Sequence, residues 1–233
     1  MLPVGKAANQ VKLSDFTVLP PNGREHLKGT KSVHVYTFGD DGQVDGDYVY
    51  LDAWVIKEAE LECEPGWYNT RSVDNDDPVY VGEVNIDFGR GISILSDCGA
   101  KVTCAGEVLK DPFPVSVIGE EDGGNTYTGN CSPVDLKLED FTVLPPEGRE
   151  HLKGTKSVHV YTFGDDGQVD GDYVYLDAWV IKEAELECDP GWYNTRSVDI
   201  DDPVSVGKVQ IDAGRMISIL SDCGAILTIP SAL

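Results

Sequence analysis

The sequence predicts an all-β protein made of two tandem, near-identical antiparallel β-sandwich domains. Three observations carry this. Residues 12–100 and 137–225 align without a gap at an offset of 125, with nine mismatches in 89 positions. Short segments of alternating apolar and polar residues dominate, and turn residues separate them. No segment keeps a helical period over 12 residues.

The repeat divides the chain into a lead-in at 1–11, a first sandwich at 12–108, a connector at 109–136 and a second sandwich at 137–233. Units of about 100 residues are large enough for a core of their own. A period this long is not that of a solenoid.

Residues 31–38 read as a strand with Val33 and Val35 inward and His34, Tyr36 and Phe38 on the other face. Residues 39–46 are rich in Gly and Asp and read as a turn. Residues 48–63 read as one long strand. Its odd positions, Val49, Leu51, Ala53 and Val55, face the core, and Lys57 marks a bulge. Its even positions, Tyr48, Tyr50, Asp52 and Trp54, form the opposite face. A hairpin register with Tyr36 opposite Tyr50 and His34 opposite Asp52 joins the two strands.

A second hairpin is read at 84–94. The second repeat replaces Phe88 by Ala213 and Gly91 by Met216. A large–small pair that becomes a small–large pair predicts cross-strand neighbours at one packing spot. In the connector, 113–118 reads as a strand, which Pro114 confines to an edge. Residues 119–129 read as an acidic loop.

The net charge is −23 and the pI about 4.3. Nucleic acid and anionic membranes require basic patches and are excluded as partners. No apolar run approaches the ~20 residues of a membrane span, so membrane insertion is not expected. Six cysteines follow the repeat in part: Cys63 and Cys98 recur as Cys188 and Cys223, whereas Cys104 and Cys131 have no cysteine counterparts. The simplest pairing is 63–98, 188–223 and 104–131, which implies an oxidising, extracellular or cell-surface setting.

Two residue sets could carry function. The first is the aromatic and acidic face of His34, Tyr36, Tyr48, Tyr50, Asp52 and Trp54, repeated as His159, Tyr161, Tyr173, Tyr175, Asp177 and Trp179. Aromatic planes stack on sugar rings and carboxylates bond hydroxyls, so this face suits a glycan. The competing reading makes it core, packed beneath a loop or the other copy. The second set is the Asp loops, Asp40, Asp41, Asp45 and Asp47, with Asp165, Asp166, Asp170 and Asp172 in the second copy. Calcium is the cofactor they suggest, because hard cations take several oxygens. The pattern is not that of an EF-hand, and solvated turn carboxylates are the plainer reading. Gly66-Trp67-Tyr68-Asn69-Thr70-Arg71 reads equally as core cover or binding loop.

No nucleophile elbow, zinc-protease, P-loop or dinucleotide motif occurs. An enzyme is therefore not expected. The expectation is a secreted bivalent recognition or adhesion module that binds glycan or cell-surface polymer, with copy–copy or homo-oligomer contacts open. The alternative is an acidic, calcium-binding structural matrix or surface-layer protein.

Overall fold

The computed structural model describes residues 2–3, 11–26, 31–39, 43–86, 91–104, 112–117, 126–129, 134–151, 156–164 and 166–230. Strands dominate and helices are few and short. The chain divides into two compact units, one of residues 4–38 and 44–107, the other of residues 1–3, 39–43 and 108–233.

After the two-residue strand β1 (Leu2–Pro3), the first repeat runs β2 (Val11–Lys12), β3 (Phe16–Leu19), β4 (Val33–Phe38), β5 (Val44–Leu51), α1 (Ala53–Glu58), β6 (Gly66–Asn69), α2 (Thr70–Asp74), β7 (Asn85–Ile86), β8 (Gly91–Leu95) and β9 (Lys101–Cys104). β8, β4, β5 and β6 lie side by side, each pair antiparallel. β2 pairs with β7 and β3 with β9.

The second repeat opens with β10 (Phe113–Val117) and β11 (Thr126–Gly129). It continues through β12 (Leu136–Lys137), β13 (Thr142–Leu144), β14 (Val158–Phe163), β15 (Val169–Leu176), α3 (Ala178–Glu183), β16 (Gly191–Asn194), α4 (Thr195–Val198), β17 (Gln210–Ile211), β18 (Met216–Leu220) and β19 (Ala225–Ile229). Its sheets are β11-β18-β14-β15-β16, β10-β19-β13 and β12-β17. The connector is thus not mere linkage. β10 forms an edge, where Pro114 leaves no central ladder bond unmade. Residues 126–129, read from sequence as loop, pair with β18. Val115 and Val117 enter the same core cluster as Val158, Val160, Trp192, Ile217, Leu227 and Ile229.

Both faces of the β4–β5 hairpin are covered. Val33 stands opposite Tyr50 and Val35 opposite Tyr48, so these four side chains share one face. They pack with Val18, Trp67 and Ile92 in the main core. Val49 and Leu51 point the other way and pack beneath Val55, Ile56, Leu61 and Tyr68. Successive residues of a strand alternate in direction, so one strand serves two apolar clusters.

The long strand expected at 48–63 ends at Leu51. Asp52 has extended backbone angles, and its carboxylate accepts from the Trp54 N–H at 2.9 Å and the Val55 N–H at 3.2 Å. This is an N-cap, which satisfies donors that the first helical turn leaves free. Ala53, Lys57 and Glu58 then suit a helix better than a strand. The same switch recurs at Asp177.

The expected hairpin at 84–94 is also corrected. In the second repeat β17 pairs with β12, whereas β18 pairs with β14 and β11. The two strands therefore join different sheets across a turn closed by the Arg215 N–H on the Asp212 carbonyl. Met216 is buried opposite Gly129, and Ala213 is exposed, so they share no packing spot. Phe88 lies outside the described residues.

Candidate functional site

The six-residue platform read from the sequence is split three ways. The expected register does not form: His34 stands opposite Val49, and Tyr36 opposite Asp47. The hairpin is offset so that Tyr48 and Tyr50 share the face of Val33 and Val35, where apolar burial is greatest. Tyr50 makes an edge contact with the buried Trp67 ring at a centroid distance of 5.3 Å, and Tyr175 meets Trp192 at the same distance. Trp67 and Tyr68 both face core, on opposite sides of β6.

His34 and Tyr36 lie on the other face, beside Asp47. The Ser32 hydroxyl is 3.2 Å from His34 Nε2, and His34 Nδ1 is 3.9 Å from Asp47 Oδ1. The Thr70 hydroxyl donates to Asp47 at 2.7 Å. Ser157, His159, Asp172 and Thr195 repeat the line. Burial pulls the His159 pKa below its ordinary value, against the raising fields of Asp172, Asp222 and Asp199. Burial and the Asp172 charge together push the Tyr161 phenol up. Ser32 and Ser157 are buried, and the Nδ1–carboxylate separation exceeds a hydrogen bond. The hydrogen bond in this line that joins two elements is Thr70 to Asp47, which ties α2 to β5.

Asp52 and Trp54 belong to a third group. Both Arg24 guanidinium nitrogens grip the Asp52 carboxylate at 2.5 Å, and the guanidinium lies 4.8 Å from the Trp54 ring centre. Arg149, Asp177 and Trp179 repeat this arrangement. Burial pushes the Asp52 carboxyl up, but the Arg24 bond and the two backbone donors outweigh it, and its pKa falls below the ordinary value. Arg24, which carries no periodic or motif signal, is thus an arginine with an internal carboxylate partner.

Where described, the loop carboxylates serve the hairpin itself. Asp45 accepts from the Thr37 hydroxyl and Asp170 from Thr162, each at 2.6 Å. Asp166 accepts from the Gln168 N–H at 3.0 Å. Asp74, Asp76 and Asp77 sit where α2 closes, with Asp76 in the left-handed region at φ 57°. Among the described residues, no three His, Cys, Asp or Glu side chains converge as a metal site. Asp40, Asp41 and Asp165 lie outside the described residues.

The disulfide framework is corrected. Cys63 is not bonded to Cys98, nor Cys188 to Cys223. Cys63 instead packs in the small cluster under α1, beside Tyr68. Burial first, then the Cys63 charge and its hydrogen bond, push the Tyr68 phenol up to about 12. Cys131 lies outside the described residues, and with it the 104–131 pairing.

A concave site does form at one end of the second repeat's sheet. Thr162, Phe163, Asp170, Tyr173, Gln210, Asp212, Arg215 and Met216 line a cavity of about 260 Å³, floored by Val209 and Ile211. Gly171 shapes its wall: a Cβ there would overlap the Thr162 hydroxyl and the Tyr173 phenol oxygen. Arg215 Nε lies 3.9 Å from Asp212 Oδ2, and the Gln210 amide donates to Asp135 at 2.6 Å. The cavity thus gathers two aromatic rings, two carboxylates, an amide and a guanidinium. The sequence reading contained only Tyr173 and Asp170 of this set. A usable signal existed: Asp-x-Gly-Arg persists at 87–90 and 212–215 inside a stretch where the flanking positions diverge. Eight of the ten lining residues are identical at the 125 offset; Asn85 replaces Gln210 and Gly91 replaces Met216.

No family model, no curated protein and no solved structure matches the chain.

Proposed function

We propose that the chain is a bivalent recognition module in which each repeat is a β-sandwich that binds glycan or a similar hydroxyl-rich extracellular polymer. The binding site is the Tyr173, Asp170, Asp212 and Arg215 cavity; the 125 offset matches these in sequence to Tyr48, Asp45, Asp87 and Arg90, of which Asp87 and Arg90 lie outside the described residues. The cavity's mixed lining supports this reading: hydroxyl-rich ligands need donors and acceptors on both sides and an apolar surface below. Its volume is at the small end for ligand pockets and suits a single sugar ring. Two weak sites on one chain gain avidity on a repetitive target, which gives near-identical duplication a physical advantage. Net negative charge favours a neutral or basic polymer. An extracellular or cell-surface setting belongs to the same proposal.

Glycan-array binding with and without EDTA tests it. Binding should survive EDTA, weaken in Arg215→Ala, and vanish in the Arg90→Ala, Arg215→Ala double variant. Absence of any glycan binding by the intact chain sinks the reading. Binding that disappears in EDTA would move it to the Asp loops and calcium.

A further inference from the structure

Tyr80 and Ser205 are equivalent at the 125 offset, and each bridges antiparallel to a buried tyrosine, Tyr68 in the first repeat and Tyr193 in the second. The surfaces around them differ. The Tyr80 ring meets Tyr68 edge-on at 5.9 Å between centroids. It also lies across two glycines: a Cβ on Gly66 would be 3.0 Å from the ring, and one on Gly82 would overlap the phenol. Gly82 is buried beneath it. A ring laid over glycine covers backbone that the missing side chain leaves bare. In the second repeat Ser205 is too short to do this. Gly207 is only half-buried, and a Cβ on Gly191 would meet nothing nearer than Tyr193 Cε2 at 3.9 Å. A cavity of about 560 Å³ remains there, lined by Glu139, Ser205, Val206, Gly207, Lys208 and Val209. Three of these six, Glu139, Ser205 and Lys208, differ from their counterparts Ser14, Tyr80 and Glu83, whereas only nine of the 89 aligned positions differ at all. Divergence is concentrated where one repeat carries a ring and the other a gap.

From this contrast we infer that the second repeat binds a phenolic ring in the slot that Tyr80 fills in the first. The ligand class is a para-substituted phenol, free or carried as a tyrosine side chain. Val206, Val209 and the bare glycine backbone give the ring an apolar seat, and Tyr193 offers the edge contact that Tyr68 makes with Tyr80. A phenol hydroxyl both donates and accepts. Glu139 is the acceptor: its Oε2 lies 3.4 Å from the place of a Gly207 Cβ, the point that the Tyr80 phenol reaches over Gly82. Lys208 is the donor. Its counterpart Glu83 pairs with Lys12, whereas Lys137 pairs with Glu139 Oε1 at 3.5 Å, and among the described residues no carboxylate pairs with Lys208. Tyr80 itself stays 54% exposed, so the slot grips one face of a ring and binding is weak. Only Val209 also lines the cavity proposed for glycan, and the slot stands apart from that reading.

The test titrates the isotope-labelled full chain with para-cresol, the tyrosine side chain without its backbone. Amide signals of Gly191, Tyr193, Gly207 and Lys208 should shift and saturate at millimolar concentration, while those of Gly66 and Gly82 stay in place. Ser205→Tyr, which installs the residue of the first repeat, should weaken binding by about tenfold or more. The triple variant Ser14→Glu, Tyr80→Ser, Glu83→Lys gives the first repeat the lining of the second and should add a site, seen as new shifts at Gly66, Tyr68 and Gly82. N-acetyltyrosine amide distinguishes the two sources: tighter binding than para-cresol identifies a peptide tyrosine, and weaker binding a free phenol. Any of four results overturns the inference: no saturable shift with para-cresol, an unchanged titration in Ser205→Tyr, no new site in the triple variant, or equal binding of cyclohexanol, which has the hydroxyl but not the flat ring.

Discussion

Arg24 and Asp52 are bound through both guanidinium nitrogens, and the same Asp52 carboxylate caps α1. Arg24 also reaches the Lys31 carbonyl at 3.4 Å. One carboxylate therefore fixes a helix start and anchors the segment that leads into β4. Asp52→Ser keeps a capping oxygen but drops the ion pair, whereas Asp52→Ala loses both. The alanine variant should be less stable than the serine variant by about 1 kcal/mol. Urea denaturation of both variants measures the difference. Equal stabilities would mean that the cap contributes nothing.

The pair also sets a pH dependence. The folded pKa values of Asp52 and Asp177 lie below their ordinary values. A depressed carboxyl pKa gives stability that is complete above the unfolded value, near 4, and is lost as pH falls through the folded value. The stability difference between the native chain and an Asp52→Asn, Asp177→Asn variant should therefore be largest above about pH 5. It should shrink towards pH 2. Thermal melts across that range check it, and a constant difference would contradict it.

Gly171 should resist substitution. Its side-chain space is filled by Thr162 and Tyr173, so Gly171→Ala forces one of them to move. A loss of roughly 1–3 kcal/mol is expected. Adding Tyr173→Leu should recover part of it by removing the ring that clashes. If the double variant is no better, the strain lies elsewhere. Gly46 makes the same contacts with Thr37 and Tyr48 and should behave alike.

The tryptophans should separate cleanly. Trp67 is 2% exposed in the main core, and Trp67→Ala should cost roughly 3–5 kcal/mol. Trp54 is only half-buried beneath Arg24. Its replacement by Ala should cost less than half as much. Equal losses would place Trp54 in the core after all.

Thiol chemistry gives the last test. Cys63 and Cys188 should react with a thiol reagent in unfolded, unreduced protein, and reduction should not change the mass of peptides that contain them. Recovery of a 63–98 or 188–223 bridge would restore the framework expected from the sequence and contradict the structure.

The sequence disclosed the duplication, the β-rich class and the strand at β10. It misled wherever the period changed within a segment. Asp52 followed Tyr48 and Tyr50 at an even position, so period alone placed it on their face; its use as a helix cap was visible only as a carboxylate ahead of Ala53 and Trp54. The register failed because turn composition does not fix hairpin offset. A bulge between Thr37 and Phe38 shifts the pairing that alternation alone implied. Arg215 and Asp212 sit in a turn and carry no periodic signal, so alternation does not reveal them. The cysteines illustrate a different limit, since an even count states what bonds are available and not whether thiols meet.

β5 has no solvent side along Tyr48, Val49, Tyr50 and Leu51. A half-exposed strand that slips by one residue exchanges one apolar row for water. Here a slip would drive tyrosines into the space shaped for Val49 and Leu51, and would send aliphatic residues into the space shaped for rings. Misalignment is thus opposed from two directions at once. A strand that carries two tyrosines between two apolar rows is therefore little free to pair wrongly, which matters in a protein whose second copy repeats Val44–Leu51 letter for letter as Val169–Leu176.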